Sequence, residues 1–146
     1  MIFFEKANES DIEKIYSFAQ ELILKYEDRC IVNIEKALAW TKNKIAENID
    51  EYTVIYYADK KCGYFHLCKN EDLWELDDLY IFPEYRRKGI AKEVVKRCID
   101  EKENIYLYVF VENIGAIKLY ENLGFKFEKE VSKTRAIMKY KKNPRQ

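Results

Sequence analysis

The segment from residue 73 to residue 111 constrains the fold more than any other part of this chain. A predicted strand at residues 73–82 closes with the hydrophobic run 79–82 and is followed by Pro83, which ends it, and by a glycine-containing turn. Residues 90–101 then have apolar side chains at helical spacing, and residues 105–111 form a continuous apolar run. The continuous run is typical of a strand buried on both faces. Two such strands joined by a helix indicate a β-α-β crossover.

Strand and helix patterns continue on both sides of this unit. The other predicted strands are residues 2–6, 52–58, 62–68, 125–131 and 134–140, and the other predicted helices are residues 12–23, 34–49 and 113–123. The resulting order is β-α-α-β-β-β-α-β-α-β-β. A meander followed by a crossover predicts an α/β (α+β) fold, with a mixed, mostly antiparallel sheet and helices on both faces. At 146 residues, we expect residues 1–146 to form a single domain.

Charge and composition argue against several function classes. Lysine plus arginine and aspartate plus glutamate both number 26, so the chain lacks the basic excess of a nucleic-acid-binding protein. A nucleic-acid-binding domain that uses the basic segment at residues 139–145 is therefore a weak alternative. The four cysteines form no Cys-x-x-Cys pair and the chain has one histidine, so no metal site is expected.

The chain shows no targeting or membrane-spanning pattern. Its first residues, 1–6, are too soon charged for a signal peptide. No apolar run approaches the roughly eighteen residues that a membrane span needs. We therefore expect a soluble cytoplasmic protein without a membrane partner, either a monomer or a homodimer.

The turn between the strand at residues 73–82 and the following helix is suited to binding an anion. Arg86, Arg87 and Lys88 precede Gly89 at the helix start. The first N–H groups of a helix have no internal partner and lie at the positive end of its dipole. Gly89 allows the backbone to approach a bulky phosphate closely. The alternative is a plain basic helix start with a glycine where the turn needs one.

Two motifs in this region resemble those of a known family. The turn reads Arg86-x-x-Gly89-x-Ala91, and a second segment reads Asn113-x-x-Ala116-x-x-x-Tyr120-x-x-x-Gly124-Phe125. Together, in this order and with a buried strand between them, they resemble the GNAT superfamily of acyl-CoA-dependent N-acyltransferases. The resemblance covers about residues 73–127, and the first half of the chain contains no motif that we can match.

The resemblance implies a binding site for acetyl-CoA as co-substrate. Backbone N–H groups of residues 87–92 would hold the pyrophosphate, and the main chain of Leu79 and Ile81 would bind the pantetheine arm like an added strand. Asn113 would hold that arm or nearby backbone, and Tyr120 would stand near the thioester sulfur. The implied cofactor-binding residues are Leu79, Tyr80, Ile81, Arg86, Arg87, Lys88, Gly89, Ile90, Ala91, Lys92, Asn113 and Tyr120.

The chemistry requires a base for the acceptor amine and an acid for the leaving thiolate. Tyr120 is the candidate acid, with simple packing on the sheet as the alternative. Glu75 and Asp77 are the candidate bases, because some members of this family have a glutamate eleven residues before the first motif residue. On a regular strand Glu75 and Asp77 share one face and Asp78 points to the other, although a β-bulge would change this. A solvated acidic rim or a water relay are the alternatives.

The predicted function is N-acetyl transfer from acetyl-CoA to a primary amine, by direct attack in a ternary complex. The alternative is a catalytically silent acyl-CoA-binding regulatory module. The acids at residues 71–78 suggest a cationic acceptor, such as a polyamine or a lysine or N-terminal amine. His66 is expected to be a packed or surface residue. Core positions, with the acceptor site as the alternative, are expected for four aromatic residues, Trp40, Trp74, Tyr56 and Tyr57.

Overall fold

The computed structural model describes residues 1–142, which form one seven-stranded sheet with four α-helices. The strands are β1 (Ile2–Lys6), β2 (Tyr52–Tyr57), β3 (Lys60–Asn70), β4 (Leu73–Ile81), β5 (Asn104–Phe110), β6 (Lys126–Glu130) and β7 (Arg135–Lys141). The helices are α1 (Ile12–Tyr26), α2 (Ile34–Glu47), α3 (Ile90–Glu101) and α4 (Ile114–Asn122). The predicted order of elements is confirmed. Residues 143–146, the end of the basic segment, lie outside the described residues.

The sheet has the strand order β1-β2-β3-β4-β5-β7-β6. Its one parallel pair is β4 with β5, and every other neighbouring pair is antiparallel. The connections agree with this arrangement, since α3 forms a crossover between β4 and β5, whereas short turns join β2 to β3, β3 to β4 and β6 to β7 as antiparallel hairpins. The predicted mixed, mostly antiparallel sheet is therefore confirmed.

Two hydrophobic cores lie on opposite faces of this sheet. Alternate residues of the central strands divide between them: Tyr64 and Tyr80 pack with α1 and α2, whereas Phe65 and Ile81 pack with α3. This division follows from the two-residue period of a strand. The predicted placement of helices on both faces is confirmed.

β4 and β5 separate shortly after they meet. They pair at two positions, Trp74 with Ile105 and Glu75 with Tyr106, although both strands continue for several residues beyond. The strands then diverge and leave an opening, called here the strand gap, between residues 76–81 and residues 107–110. Backbone N–H and C=O groups that face this gap have no neighbouring strand to pair with.

A β-bulge in β4 changes the direction of its acidic side chains. His66 of β3 pairs with Asp78, but the next residue, Leu67, pairs with Leu76. Asp77 is therefore the extra residue of the bulge. The expectation that Asp78 points away from Glu75 and Asp77 is wrong, because the bulge returns Asp78 to their side of the sheet.

None of the helices within residues 1–142 combines the length and the apolar character needed to cross a bilayer.

Candidate active site

The turn before α3 has the backbone geometry that an anion site needs. Gly89 is the N-cap of α3 with a φ of 77°, and it provides no side-chain cap for the first helical N–H groups. Arg87 also has a positive φ, 65°. A side chain at Gly89 would meet no atom within 4 Å, so the space in front of the helix start is open. The turn thus presents unpartnered N–H donors to an open surface.

A cavity of about 330 Å³ lies against this turn. It is bordered by Ile81, Tyr85, Arg86, Arg87, Gly89, Ile90, Ala91, Lys92 and Leu119. The cavity brings together five of the six residues at positions 87–92, which were assigned above to the pyrophosphate, and adds Leu119 of α4, which no sequence pattern indicated.

The Arg86 side chain holds the turn rather than pointing freely into solvent. Its Nε donates a hydrogen bond of 3.0 Å to the carbonyl of Ile81, the last residue of β4. This bond fixes the turn relative to the strand end. Arg86 therefore has a structural contact in addition to any contact with phosphate.

Backbone groups of β4 alternate between β3 and the strand gap. Phe82 N–H donates to the Cys62 carbonyl at 2.8 Å, so alternate residues before it, Tyr80 and Asp78, also direct their backbone groups to β3. Leu79 and Ile81 therefore direct theirs into the gap. These backbone groups therefore have the orientation that their predicted pairing with the pantetheine arm requires.

Tyr80 is placed differently from the sequence-based expectation. Its backbone groups face β3, its ring packs in the α1/α2 core, and its hydroxyl donates to Asp78 at 2.7 Å. A cofactor lying in the strand gap would contact the backbone of Leu79 and Ile81 instead. We therefore do not retain Tyr80 as a cofactor-binding residue.

Asn113 and Tyr120 both belong to the α4 region. The Asn113 side chain caps α4, accepting from the Ala116 N–H at 3.3 Å. Tyr120 packs on Phe125, with ring centroids 5.5 Å apart, and also lines the large cavity described next. Burial, with a smaller effect of the Asp78 charge, raises the pKa of Tyr120 well above its ordinary value. Its phenol is thus protonated at neutral pH.

A larger cavity, of about 810 Å³, extends through the strand gap from α1 and α2 to α4. Its wall includes residues of both sheet faces, such as Ala19 and Trp40 on one side and Tyr120 on the other. Glu75, Asp77 and Asp78 all line it, together with Lys44 and His66. The cavity therefore joins the candidate acid, the candidate bases and the gap-facing backbone of β4.

Lys44 of α2 lies among the carboxylates of this cavity. Its ammonium is 2.8 Å from Asp77 Oδ2 and 3.5 Å from Asp78 Oδ2. Burial alone would lower the pKa of Lys44, but the charges of Asp78 and Asp77 outweigh it and raise this pKa. Lys44 is a charged, half-buried side chain of the site.

His66 joins the same group from β3. It is buried, stacks on Tyr52 at 4.3 Å between centroids, and lies 3.0 Å from Asp77 Oδ2 through Nδ1 and 2.9 Å from Glu51 Oε1 through Nε2. Burial would lower the pKa of His66, but hydrogen bonds with Asp77, Cys68 and Glu51 raise it to about 10. The expected packed position is confirmed, and the imidazole is protonated at neutral pH.

The five residues Lys44, Glu51, His66, Asp77 and Asp78 are called the charge cluster below. In this cluster, burial disfavours ionisation of Asp77, but the His66 hydrogen bond and the Lys44 charge hold the pKa of Asp77 far below its usual range. Asp78 accepts hydrogen bonds from the hydroxyls of Tyr52 and Tyr80. Both carboxylates therefore have at least two polar partners within the protein.

Glu75 has a different environment. Its Oε1 accepts from the Tyr106 hydroxyl at 3.0 Å, and that hydroxyl accepts from Asn70 Nδ2 at 3.0 Å. Burial and the nearby charge of Asp77 raise the pKa of Glu75. A carboxylate with a raised pKa is a better proton acceptor than Asp77, whose pKa is depressed. The structure thus separates the two candidate bases.

His66, Asp77 and Asp78 place ligand-type atoms within 4.8 Å of one another, a spacing compatible with a metal ion. The Lys44 ammonium and the protonated His66 already supply positive charge there. These contacts suit a hydrogen-bonded charge cluster better than a set of metal ligands, which would need a neutral imidazole. The expectation of no metal site stays a prediction.

Two of the four cysteines, Cys62 and Cys98, are poor nucleophiles. Burial raises the pKa of Cys62 to about 11. Burial also raises the pKa of Cys98, to about 12. Both thiols are protonated at neutral pH, which favours direct transfer over a covalent intermediate on either.

Sequence patterns did not indicate Lys44, Glu51 or Tyr52 as site residues. Lys44 and Asp77 are 33 residues apart, and no motif connects them. The assignment of Trp40 to the core is wrong: its side chain is 66% exposed and borders the large cavity, since it lies on the outer face of α2. The sequence signal that could have indicated this exposure is the weak apolar pattern of α2, because few positions of that helix face the core.

A model of the acetyltransferase (GNAT) family matches residues 12–125. Spermine/spermidine N(1)-acetyltransferase of Bacillus subtilis is 38% identical over 69 residues, which are 43% of this chain and 45% of that protein. The [ribosomal protein bS18]-alanine N-acetyltransferase of Escherichia coli is 36% identical over 55 residues, 34% of this chain and 37% of that protein. Each match spans less than half of the relative's length.

Among solved structures, the PaiA N-acetyltransferase of Thermoplasma acidophilum, in complex with coenzyme A, is similar over almost the whole chain. The TM-score is 0.72 at 23% identity, and the match covers 97% of this chain and 99% of the other. At this identity the likeness concerns the fold. It confirms the architecture built above from strand order and helix placement.

Proposed function

We propose that this chain, which belongs to the acetyltransferase (GNAT) family, transfers the acetyl group of acetyl-CoA to a primary amine in a ternary complex. The observation that supports this most directly is the large cavity. It joins gap-facing backbone of β4, the protonated phenol of Tyr120 and the high-pKa carboxyl of Glu75. We also propose that residues 1–146 form a single N-acetyltransferase domain.

Acetyl-CoA is proposed to bind from the α3 turn into the strand gap. N–H groups of residues 87–92, around Gly89, hold the pyrophosphate at the positive end of α3. The pantetheine arm then runs along β4 and pairs with the backbone of Leu79 and Ile81, which lack a strand neighbour there. Asn113 supports this path indirectly by capping α4. The thioester thereby reaches the cavity.

Glu75 is proposed to take a proton from the acceptor. A lysine-like amine has a pKa of about 10.4, so about one molecule in a few thousand is neutral at pH 7. The ammonium pairs with Glu75 and transfers one proton to it, and the nitrogen lone pair then attacks the thioester carbonyl carbon. Asp77 instead keeps His66 and Lys44 charged and in place.

Tyr120 is proposed to protonate the leaving group. The new C–N bond forms, the C–S bond breaks with its electron pair on sulfur, and the phenol supplies the proton that completes CoA-SH. As the attacking nitrogen becomes the amide it loses one further proton, which restores the phenol of Tyr120, and the proton on Glu75 passes to water, so that the reaction releases one proton overall. Burial raises the pKa of Tyr120, so a hydrogen bond from its phenol to the sulfur also stabilises the leaving thiolate.

The acids at residues 71–78, which suggest a cationic acceptor, differ in their exposure and in their partners. Glu71 and Asp72 lie exposed in the β3–β4 turn, and Asp77 and Asp78 are paired with Lys44. Glu75 has no cationic partner among the salt bridges of residues 1–142. We propose that one ammonium group, that of the reacting amine, binds beside Glu75.

An acceptor screen tests this function. Acetyl-CoA and longer acyl-CoAs are incubated with the protein and with monoamines, polyamines and peptides with free N-termini, and amine-dependent release of CoA thiol is measured. We expect release with acetyl-CoA and at least one amine, and none without an amine. Tight acetyl-CoA binding without amine-dependent release would instead favour a silent regulatory module.

A further inference from the structure

The bulge of β4 brings two aspartates together where a cation could bind. Asp77 and Asp78 both face the large cavity, and both reach the same atom, Lys44 Nζ. A pair of half-buried carboxylates at the wall of an amine-binding cavity is a natural site for a second ammonium group of a substrate. The occupant of this site therefore decides which amines the cavity accepts.

In this chain the occupant is Lys44. Its ammonium lies 2.8 Å from Asp77 Oδ2 and 3.5 Å from Asp78 Oδ2, and 20% of its side chain is exposed. It projects from the last turn of α2, which packs on α1 and therefore holds the ammonium in the cavity wall. Lys44 thus has the position that a distal substrate ammonium would need.

The same two aspartates have further donors within the protein. Asp77 Oδ2 is 3.0 Å from His66 Nδ1, and Asp78 accepts from the hydroxyls of Tyr52 and Tyr80. A substrate ammonium could take the place between Asp77 Oδ2 and Asp78 Oδ2 only by displacing Lys44. The displaced group would lose its partner in a half-buried place, which costs free energy.

The other wall of the cavity suits an uncharged substrate portion. It is formed by side chains of α1 and α2, namely Ala19, Leu22, Ile23, Ala37 and Trp40. The exposed Trp40 ring stands at this wall, 5.8 Å from the Lys44 ammonium. Apolar surface of this kind is better covered by a hydrocarbon or aromatic group than by a second charge.

We infer that Lys44 is a specificity-determining residue, which fills the second cation site and restricts the enzyme to acceptors with one ammonium group and an uncharged remainder. This inference rests on the proposed function. It distinguishes the chain from an enzyme that favours polyamines, since a distal ammonium would find the place between Asp77 and Asp78 already occupied. Glu75 provides the site for the reacting amine, and Lys44 closes the site at Asp77 and Asp78.

The test compares amines that differ only in the distal charge. Butylamine and 1,4-diaminobutane form one pair, and hexylamine and 1,6-diaminohexane form another; kcat/KM is measured for each with saturating acetyl-CoA. Lys44→Met removes the ammonium and keeps an apolar stem, whereas Lys42→Met is the matched control. Lys42 lies on the same helix and pairs with Glu13 at 3.4 Å on the exposed surface.

We expect the native protein to use each monoamine at least as well as its diamine, after correction for the two reactive ends. Lys44→Met should raise the diamine-to-monoamine ratio about tenfold, and Lys42→Met should leave it unchanged. A general loss of stability would lower both rates without changing their ratio. Lys44→Arg, which keeps the charge, should retain the native preference.

Three results would overturn the inference. The first is a tenfold diamine preference of the native protein, which needs no variant to fold. The second is an unchanged ratio in folded Lys44→Met. The third is the absence of acetylation of any amine despite acetyl-CoA binding, which contradicts the proposed function as well; the first two contradict the role of Lys44 alone.

Discussion

The α3 turn and the charge cluster lie at the two ends of the proposed site and are constructed differently. The turn uses backbone N–H groups of consecutive residues around Gly89, and its one notable side-chain bond joins Arg86 to Ile81, five residues away. The charge cluster uses side chains from α2, β3 and β4, such as Lys44 and Asp77. The donor end is therefore local in sequence, and the acceptor end is a product of tertiary packing.

This difference has a functional consequence. A backbone cradle depends little on which side chains surround it, provided that the glycine allows the backbone conformation. A cluster of buried charges depends on every member, because removing one leaves another unpaired. We expect changes at the turn to affect acetyl-CoA affinity, and changes near the cluster to affect turnover, acceptor choice and pH dependence.

The largest effect is expected at the acceptor end from Glu75→Gln. The amide cannot accept the proton, so kcat should fall by about 10²–10⁴-fold at pH 7, while the dissociation constant for acetyl-CoA changes little. Steady-state kinetics and calorimetry measure the two quantities. Asp72→Asn, at an exposed position of the β3–β4 turn, is the control and should be silent. Equal activity of native protein and Glu75→Gln would exclude Glu75 as the base.

Tyr120→Phe should have the next largest effect. Removal of the hydroxyl should lower kcat by about 10- to 100-fold, because the leaving thiolate loses its proton or hydrogen-bond donor, with acetyl-CoA affinity nearly intact. Tyr140→Phe is a matched control, since the Tyr140 ring also packs on Phe125, at 5.6 Å. If Tyr120→Phe turned over as fast as the native protein, Tyr120 would not be the acid and its ring would serve only in packing.

At the donor end, Gly89→Val should weaken acetyl-CoA binding about tenfold. The residue has a φ of 77°, where a β-branched side chain is strained, and the new side chain would stand in the open space before α3. Calorimetric titration with acetyl-CoA measures the effect, with thermal unfolding as a check on the fold. Gly115→Ala, where a new Cβ also meets nothing within 4 Å, should bind normally. Equal affinity of Gly89→Val would place the pyrophosphate elsewhere.

The smallest effect is expected in the free energy of unfolding, as its change per pH unit. The pKa of His66 is raised to about 10 in the folded protein, above the ordinary value of 6.5. The folded state therefore binds the extra proton, and its stabilisation is complete below about pH 6.5 and declines as the pH rises toward 10. The free energy of unfolding should fall by at most about 1.4 kcal/mol per pH unit in that range.

Denaturant unfolding at pH 7, 8 and 9 measures this slope. His66→Gln removes the one histidine of the chain and should flatten the profile at a lower overall stability. A flat profile for the native protein would mean that His66 is neutral and that the charge cluster has one positive charge fewer.

Most of the fold was predictable from particular sequence patterns. The amphipathic helix at Ile90–Glu101 and the apolar strand at Asn104–Phe110 lie where periodicity placed them, within a residue at each end. Their success reflects strong local determinants: a proline before the turn, a glycine at the helix start and continuous apolar character in a buried strand. The motifs that pointed to the family lie next to these elements, at residues 86–91 where the helix begins and at residues 113–125 after the strand.

The candidate site was predictable where local motifs specify it, and the predicted Glu75, Asp77 and Tyr120 all line the large cavity. The turn around Gly89 and the gap-facing backbone of Leu79 and Ile81 lie as the motifs suggested. Tyr80, Asp78 and Trp40 do not. Tyr80 faces β3 because strand neighbours alternate, Asp78 changes side because of the bulge at Asp77, and Trp40 lies outside the core because α2 turns that face outward.

The sequence by itself determined the order of elements, the helix start at Gly89 and the family, because these depend on consecutive residues and on periods of two and 3.6. Tertiary structure alone decided the identity of the partners around Asp77 and Asp78. The bulge and the packing of α2 bring the Lys44 ammonium 2.8 Å from Asp77 across 33 residues of chain, and no local pattern specifies such a contact. The physical reason is that a charge becomes part of a site through burial and distance, which only the folded chain defines.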